Sequence, residues 1–311
     1  MPTQRDVQNR ISSVENIKKI TRAMEMVAAA RLRRAEQRIE ALRPYADAIR
    51  RMTRQAADAA ESMPNLPILR EHDSVDTVGL MVISSDRGLA GAFNSQLVRA
   101  ATRAAREHER EGRSLTWYAS GRRGVSSLVF RGLEPVGQYT GFTDRPTYEN
   151  AREIAEDLMA AYIDEDVDRV EIFYNGYISP LRQEVRRETL LPLQQADILD
   201  EDEDEEEEGG EDERDDDQGI AKRDSRALVE YEPDPEEILQ RLVPDYVEIS
   251  VYRALLESTA SEHGARMTAM RSATENAGEV IDDLTLEMNR ARQAEITQEI
   301  MEVVSGAEAL Q

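Results

Sequence analysis

From Tyr246 to Val304 the sequence runs 59 residues without a proline, interrupted only by Gly264 and Gly278. An unbroken helix of that length would span about 90 Å, roughly three times the diameter of a small domain. Its apolar residues include Leu255, Leu256, Met267, Met270, Ala273, Ala277, Val280, Ile281, Leu284, Met288, Ala291 and Ile300. Such a stripe needs a partner along its whole length. Small alanines allow close approach of a second rod and methionines tolerate irregular contacts, which suits a slender two-helix coil with an imperfect heptad. The other end of the chain offers that partner. Val7, Ile11, Val14, Ile17, Ile20, Met24 and Val27 recur at steps of three or four, and Ile39, Leu42, Ala46, Ile49 and Met52 resume the stripe. Pro44 should kink or break this first rod. The two ends are expected to pair antiparallel within one chain.

Between the rods the pattern changes. Thr77 to Ile83 is a short, nearly continuous apolar run, as in a strand buried on both faces. A loop from Ser84 to Gly91 leads to a helix at about Phe93 to Glu111, closed by Gly112. A strand at Ser114 to Ala119, a short helix at Arg123 to Phe130, a helix at Asn150 to Ile163 and strands at Val167 to Tyr174 and Glu184 to Leu191 follow. The alternation predicts a mainly parallel sheet. Pro235-Glu-Glu-Ile238 starts another helix, with proline and acids in its first turn. The fold class is therefore α/β with long helices: an antiparallel coiled coil of the N- and C-terminal helices plus a Rossmann-like α/β domain. The expected segments are 1–63, an N-terminal coiled-coil helix; 74–199, the α/β domain; 200–227, an acidic disordered insert; 228–243, a return segment; and 244–311, a C-terminal coiled-coil helix.

Charge is segregated. Residues 200–217 hold 15 acids and one base, which accounts for −14 of the net −24. Residues 1–60 carry 13 bases against 7 acids, so the first rod is positive and should seek acidic surfaces. The absence of cysteine rules out disulfides, thiolate metal sites and cysteine nucleophiles. His72, His108 and His263 show no ligand spacing. No apolar run is long enough to span a membrane, and the first ten residues lack the apolar core of a secretory signal.

Three features invite chemistry. The Ser84–Gly91 loop sits where phosphate-binding loops sit, between strand and helix. It lacks both the Walker and the G-x-G-x-x-G pattern, so a tight structural strand-to-helix turn explains it better than nucleotide binding. The acidic tract lacks EF-hand spacing and reads as a solvated, repulsive loop, with an electrostatic role as the alternative. The Arg31, Arg33, Arg34, Arg38 cluster has no interleaved aromatics, so a basic helix face meeting an acidic protein fits better than nucleic acid. No phosphate cradle or paired acid and base marks an enzyme.

Particular motifs add a resemblance. Ile17-Lys-Lys-Ile-Thr-Arg-Ala-Met-Glu-Met-Val-Ala-Ala-Ala-Arg-Leu-Arg-Arg-Ala35 is similar to an N-terminal KITxAMxMVAAxKLRRA motif, with Arg31 where lysine is usual. Ser85-Asp-Arg-Gly-Leu-Ala-Gly-Ala-Phe-Asn94 resembles SDRGLCGGLN, with Ala90 in place of cysteine. Ala265 to Ala277 and Arg290 to Ala309 resemble a C-terminal signature I-T-x-E-x-x-[DE]-x-x-x-G-A. Together they resemble the gamma subunit of bacterial F-type ATP synthase. The resemblance implies a non-catalytic rotor shaft that couples proton-driven c-ring rotation to ATP synthesis in an alpha/beta hexamer, with no cofactor, catalytic residue or bound metal of its own. It implies beta-subunit contacts at Lys18, Arg22, Met24, Arg31, Arg292, Gln293 and Thr297, and an apolar bearing tip at Ile300, Val303 and Val304. It implies c-ring or epsilon contacts at Tyr231 and Glu232, in a segment similar to the family's YEPDP. The implied partners are the alpha, beta and epsilon subunits and the c-ring. The implied place is the cytoplasmic face of the bacterial plasma membrane.

Overall fold

The computed structural model describes residues 4–59, 66–193 and 234–308. The chain enters as α1 (Gln4–Ala59), a helix of 56 residues. It continues through β1 (Thr77–Ile83), α2 (Phe93–Arg110), β2 (Ser114–Ser120), α3 (Arg122–Val129), β3 (Gly137–Tyr139), α4 (Tyr148–Ile163), β4 (Arg169–Ser179) and β5 (Arg182–Leu191). It leaves as α5 (Pro235–Glu308), a helix of 74 residues and about 110 Å.

Both rods run through their prolines, Pro44 in α1 and Pro244 in α5. The boundary expected at residue 244 thus falls inside a single helix that begins at Pro235. Packing supports this stretch from both sides: Ile49 of α1 meets Leu242 and Ile249 of α5, with Ala46 and Ile238 beside them. A proline costs one backbone hydrogen bond, and tertiary burial of the flanking residues offsets it. The expected acidic insert, Tyr231 and Glu232 lie outside the described residues.

The five strands form one sheet in the order β3-β2-β1-β4-β5. β1, β2, β3 and β4 are parallel, and β5 pairs antiparallel with β4 at the edge. β3 has only three residues, too few to show a period in the sequence. One face of the sheet carries α2 and α3, with Leu80, Leu97, Ala101, Trp117 and Leu128 in the core. The other face carries α4 and the first half of α5, where Val243, Val247, Val251 and Leu255 join Ile154, Leu158 and Tyr174. β1 is sandwiched between both layers, and that is why its apolar residues do not alternate with polar ones.

α1 and α5 run antiparallel. Val7 and Ile11 pack on Leu284, Thr21 meets Thr274, and Leu32 and Ala35 meet Ala260. Partners along the pair therefore have residue numbers that sum to a nearly constant value.

Candidate functional site

The line of α1 that faces α5 shares Val7, Ile11 and Val14 with the apolar stripe evident in the sequence and then leaves it. It runs Val7, Ile11, Val14, Lys18, Thr21, Glu25, Ala28, Leu32, Ala35, alternating steps of four and three, the heptad spacing of a coiled coil. Its ends are apolar and its middle is polar. The hydroxyls of Thr21 and Thr274 lie 2.8 Å apart. Buried Glu25 accepts from Arg271 Nε at 3.1 Å and from Arg22 at 2.9 Å. Burial pushes the Glu25 carboxyl up, but the bonds from Arg271 and Arg22 outweigh it and hold it below the usual carboxylate range. Lys18 lies across Gly278, where a Cβ would stand 3.1 Å from its Nζ.

Ile17, Ile20, Met24 and Val27 each stand one residue before a seam position, so a turn of about 100° carries them off the seam. Ile17, Ile20, Met26 and Val27 are 52–59% exposed, and Met24 is half-buried. The expectation that the stripe faces the second rod holds for Val7, Ile11, Val14, Ile39, Ala46 and Ile49 and is corrected for Ile17, Ile20, Met24 and Val27, which form an outward apolar face flanked by Lys18, Lys19 and Arg22. Sequence periodicity missed this face because a hydrophobic pattern cannot tell a seam from a partner surface.

The rods meet the α/β domain where its strand order reverses. β1 leads through α2 to β2 on one side, while β4 lies on its other side. In open α/β sheets the crevice beyond the strand ends at such a point commonly receives ligands. Here α5 occupies it. Ser258 Oγ donates to the Ile83 carbonyl at 3.2 Å, Thr259 Oγ1 to the Thr143 carbonyl at 2.9 Å, and Arg266 to the Gly88 carbonyl at 3.2 Å. The Ser84–Gly91 loop is held from within. Asp86 accepts from the backbone N–H groups of Arg122, Gly141 and Thr143 at 2.9–3.1 Å. Burial raises its carboxyl pKa, and these donors more than reverse the shift. Gly121 has φ +88°, and a Cβ there would lie 2.4 Å from the Ser84 carbonyl oxygen. The loop is thus a tight seat for the helix.

Two contacts bind α1 to the same domain. Arg31 pairs with Asp144 at 2.6 Å, and Glu36 accepts a hydrogen bond from Tyr177. Of the residues singled out in the sequence, Arg31 therefore sits at the junction. Lys18, Arg22 and Met24 sit higher on the coil. Arg292, Gln293 and Thr297 stand on α5 beyond the reach of α1, and Thr297 Oγ1 only returns to the Gln293 carbonyl at 2.8 Å. Pairing with α1 ends near Met288, and from Arg292 onward every described side chain of α5 is exposed. Ile300 is 56% and Val303 73% exposed, while the side chain of Val304 lies outside the described residues.

The chain matches the family described as ATP synthase over residues 3–310. The ATP synthase gamma chain of Rubrobacter xylanophilus is 41% identical over 310 residues, covering 100% of this chain and 99% of the relative. The chain belongs to the ATP synthase gamma chain family. The gamma chain of Streptomyces coelicolor is 43% identical over 307 residues, covering 97% of this chain and 94% of that one. Among solved structures, a chain of the central stalk and c-ring of the Tetrahymena thermophila mitochondrial ATP synthase matches with a TM-score of 0.57 at 25% identity. That match covers 82% of this chain and 99% of that one. A chain of the Euglena gracilis mitochondrial ATP synthase shares the fold with a TM-score of 0.65 at 18% identity, over 99% of this chain and 94% of that one. A gamma chain is the central rotor shaft, a non-catalytic part of the ATP synthase complex. No described helix is long and apolar enough to cross a membrane.

Proposed function

We propose that this gamma chain turns within a hexamer of alternating alpha and beta subunits, its α/β domain fixed to the c-ring and the epsilon subunit. Rotation presents different faces of the coil to each beta subunit. Because the coil contacts each catalytic conformation with a different free energy, turning it shifts the sites among open, loose and tight states. Lys18, Arg22, Met24 and Arg31, with Arg292, Gln293 and Thr297, serve as beta-subunit contacts. Ile300, Val303 and Val304 form the tip in an apolar bearing. Tyr231 and Glu232 meet the c-ring or epsilon subunit. The assembly stands at the cytoplasmic face of the bacterial plasma membrane, and the segments divide as 1–63, 74–199 and 200–227, followed by the rod that begins at Pro235.

The observation that carries this reading is the length mismatch of the two helices. α5 outruns α1 by about 17 residues, or about 25 Å, and its unpaired end keeps Ile300 and Val303 in water. An isolated single helix with such side chains has nothing to gain from them, whereas a sleeve of other subunits would cover them. The test is a chain ending at Ala291, assembled with alpha and beta subunits. The thermal melting of the isolated chain should stay unchanged while proton-coupled ATP synthesis falls steeply. Full coupling by the shortened chain would overturn the assignment of the tip.

A further inference from the structure

A cleft of about 300 Å³ opens between α1, the loop joining β3 to α4, and α5. Arg31, Arg34 and Arg38 line it from α1, Arg145 and Asp144 from the loop, and His263 from α5. The one carboxylate is already engaged: Asp144 pairs with Arg31 at 2.6 Å and with Arg87 at 3.2 Å. The guanidinium groups of Arg34, Arg38 and Arg145 have no hydrogen-bond or ion-pair partner among the described residues. Buried His263 adds no charge near neutral pH, because burial, with Arg266 and Arg31 nearby, lowers its pKa to about 4. Three uncompensated guanidinium groups thus converge on one concavity of a chain whose net charge is −24.

We propose that this cleft at the junction of coil and α/β domain binds a phosphate-bearing anion. A guanidinium presents a planar fork of N–H donors that matches phosphoryl oxygens two at a time. Arg34 and Arg38 lie one helical turn apart on α1, and Arg145 lines the cleft from a different segment, so the donors surround a volume. A compact ligand with several oxygens fills such a site, and about 300 Å³ lies at the lower end of small-ligand pockets. An extended acidic polypeptide would call for bases strung along a groove. The phosphoryl group can come from free inorganic phosphate or pyrophosphate, or from the phosphate chain of a nucleotide. The site shares Arg31 with the proposed beta-subunit contacts, but the donors offered to the anion are Arg34, Arg38 and Arg145, which carry none of the roles assigned there.

The test is calorimetric titration of the full chain with inorganic phosphate, pyrophosphate and ADP, each at low and high chloride. Saturable binding at one site, weakened by chloride, is expected for at least one of the three. Tighter binding of ADP than of pyrophosphate identifies a nucleotide as the source, and equal or weaker binding identifies the inorganic anion. Arg38→Gln and Arg145→Gln should each weaken binding about tenfold or more, because each removes a charge-assisted pair. Arg103→Gln, an exposed arginine on α2, should leave it unchanged. Arg145 stands in a loop outside the coil, so its variant reports on the cleft even where Arg38→Gln disturbs folding. No saturable binding, an equal loss in Arg103→Gln, or a polyglutamate peptide that binds more tightly than all three probes would overturn the proposal.

Discussion

Replacing Leu32 and Ile20 by alanine, one at a time, separates the heptad seam from the outward stripe. Leu32 is 4% exposed and packs against Ala35, Ala260 and Met267. Core leucine-to-alanine changes cost about 2–5 kcal/mol. A two-helix seam is open at its sides and can partly close the cavity, so about 2–3 kcal/mol is expected for Leu32→Ala. Ile20 is 59% exposed in the isolated chain, and its replacement there should stay within about 0.5 kcal/mol. Thermal unfolding of the isolated chain is the assay. For a chain of this size, Leu32→Ala should lower Tm by about 4 °C or more and Ile20→Ala by about 1 °C or less. Hydrogen exchange of α1 amides locates the effect, with loss of protection in Leu32→Ala only. The order should reverse on assembly with alpha and beta subunits. The reversal is read in affinity for those subunits: covering the rest of Ile20 would contribute about 1–2 kcal/mol, which Ile20→Ala forfeits, whereas Leu32 is already buried against α5 and its loss leaves that affinity nearly unchanged. Equal destabilisation of the isolated chain by the two changes would refute the seam, because both residues would then face α5.

Gly121→Ala should destabilise the α/β domain by about 3 kcal/mol or more, since it combines a left-handed backbone with a Cβ 2.4 Å from the Ser84 carbonyl; circular dichroism melting measures this. His263 is neutral when folded, with a pKa near 4 against 6.5 for the free side chain. Between those values the unfolded chain binds the extra proton, so stability should fall as pH drops through that window, by about 3 kcal/mol at most. His263→Gln should flatten the slope of stability against pH there. Asp86 acts in the same direction, because its folded pKa too lies below the free value, here the usual carboxylate one. Its stabilisation is full at neutral pH and lost as pH falls through the folded value, an acid limb that Asp86→Asn should abolish in a stability–pH profile.

The sequence made the elements legible where one period dominates. β1 is a continuous apolar run because layers cover both its faces, and α2 ends where Gly112 adopts φ +83°. The antiparallel pairing of the chain ends was legible because neither stripe could be buried alone. The seam was not. Lys18, Thr21 and Glu25 occupy heptad positions with polar side chains, satisfied by Thr274, Arg271 and the gap at Gly278. Polar residues at seam positions are visible only once the partner is placed. The arginines at the cleft had the same fate: Arg34 and Arg38 read as one charged face of α1, and only the fold sets Arg145 across from them.

What the fold adds to a long coil is a fixed attachment. A shaft transmits torque only if its base cannot slip against the part that is driven. α5 is seated in the crevice of the sheet by Ser258, Thr259 and Arg266, three side chains that bond to backbone carbonyls at the end of β1 and in the loops after β1 and β3. Arg253 adds a pair with Glu188 of β5 at 2.9 Å, and α1 is tied to the same domain through Arg31 and Glu36. Each bond contributes only about 1 kcal/mol to stability. Their geometry matters more than their sum, because they hold two antiparallel helices on one domain at several points and oppose rotation about the coil axis. The crevice that could have held a ligand is filled by the molecule's own axle. The same substitution of helix for ligand leaves the upper coil, with its polar seam and outward isoleucines, as the part free to differ from one face to the next.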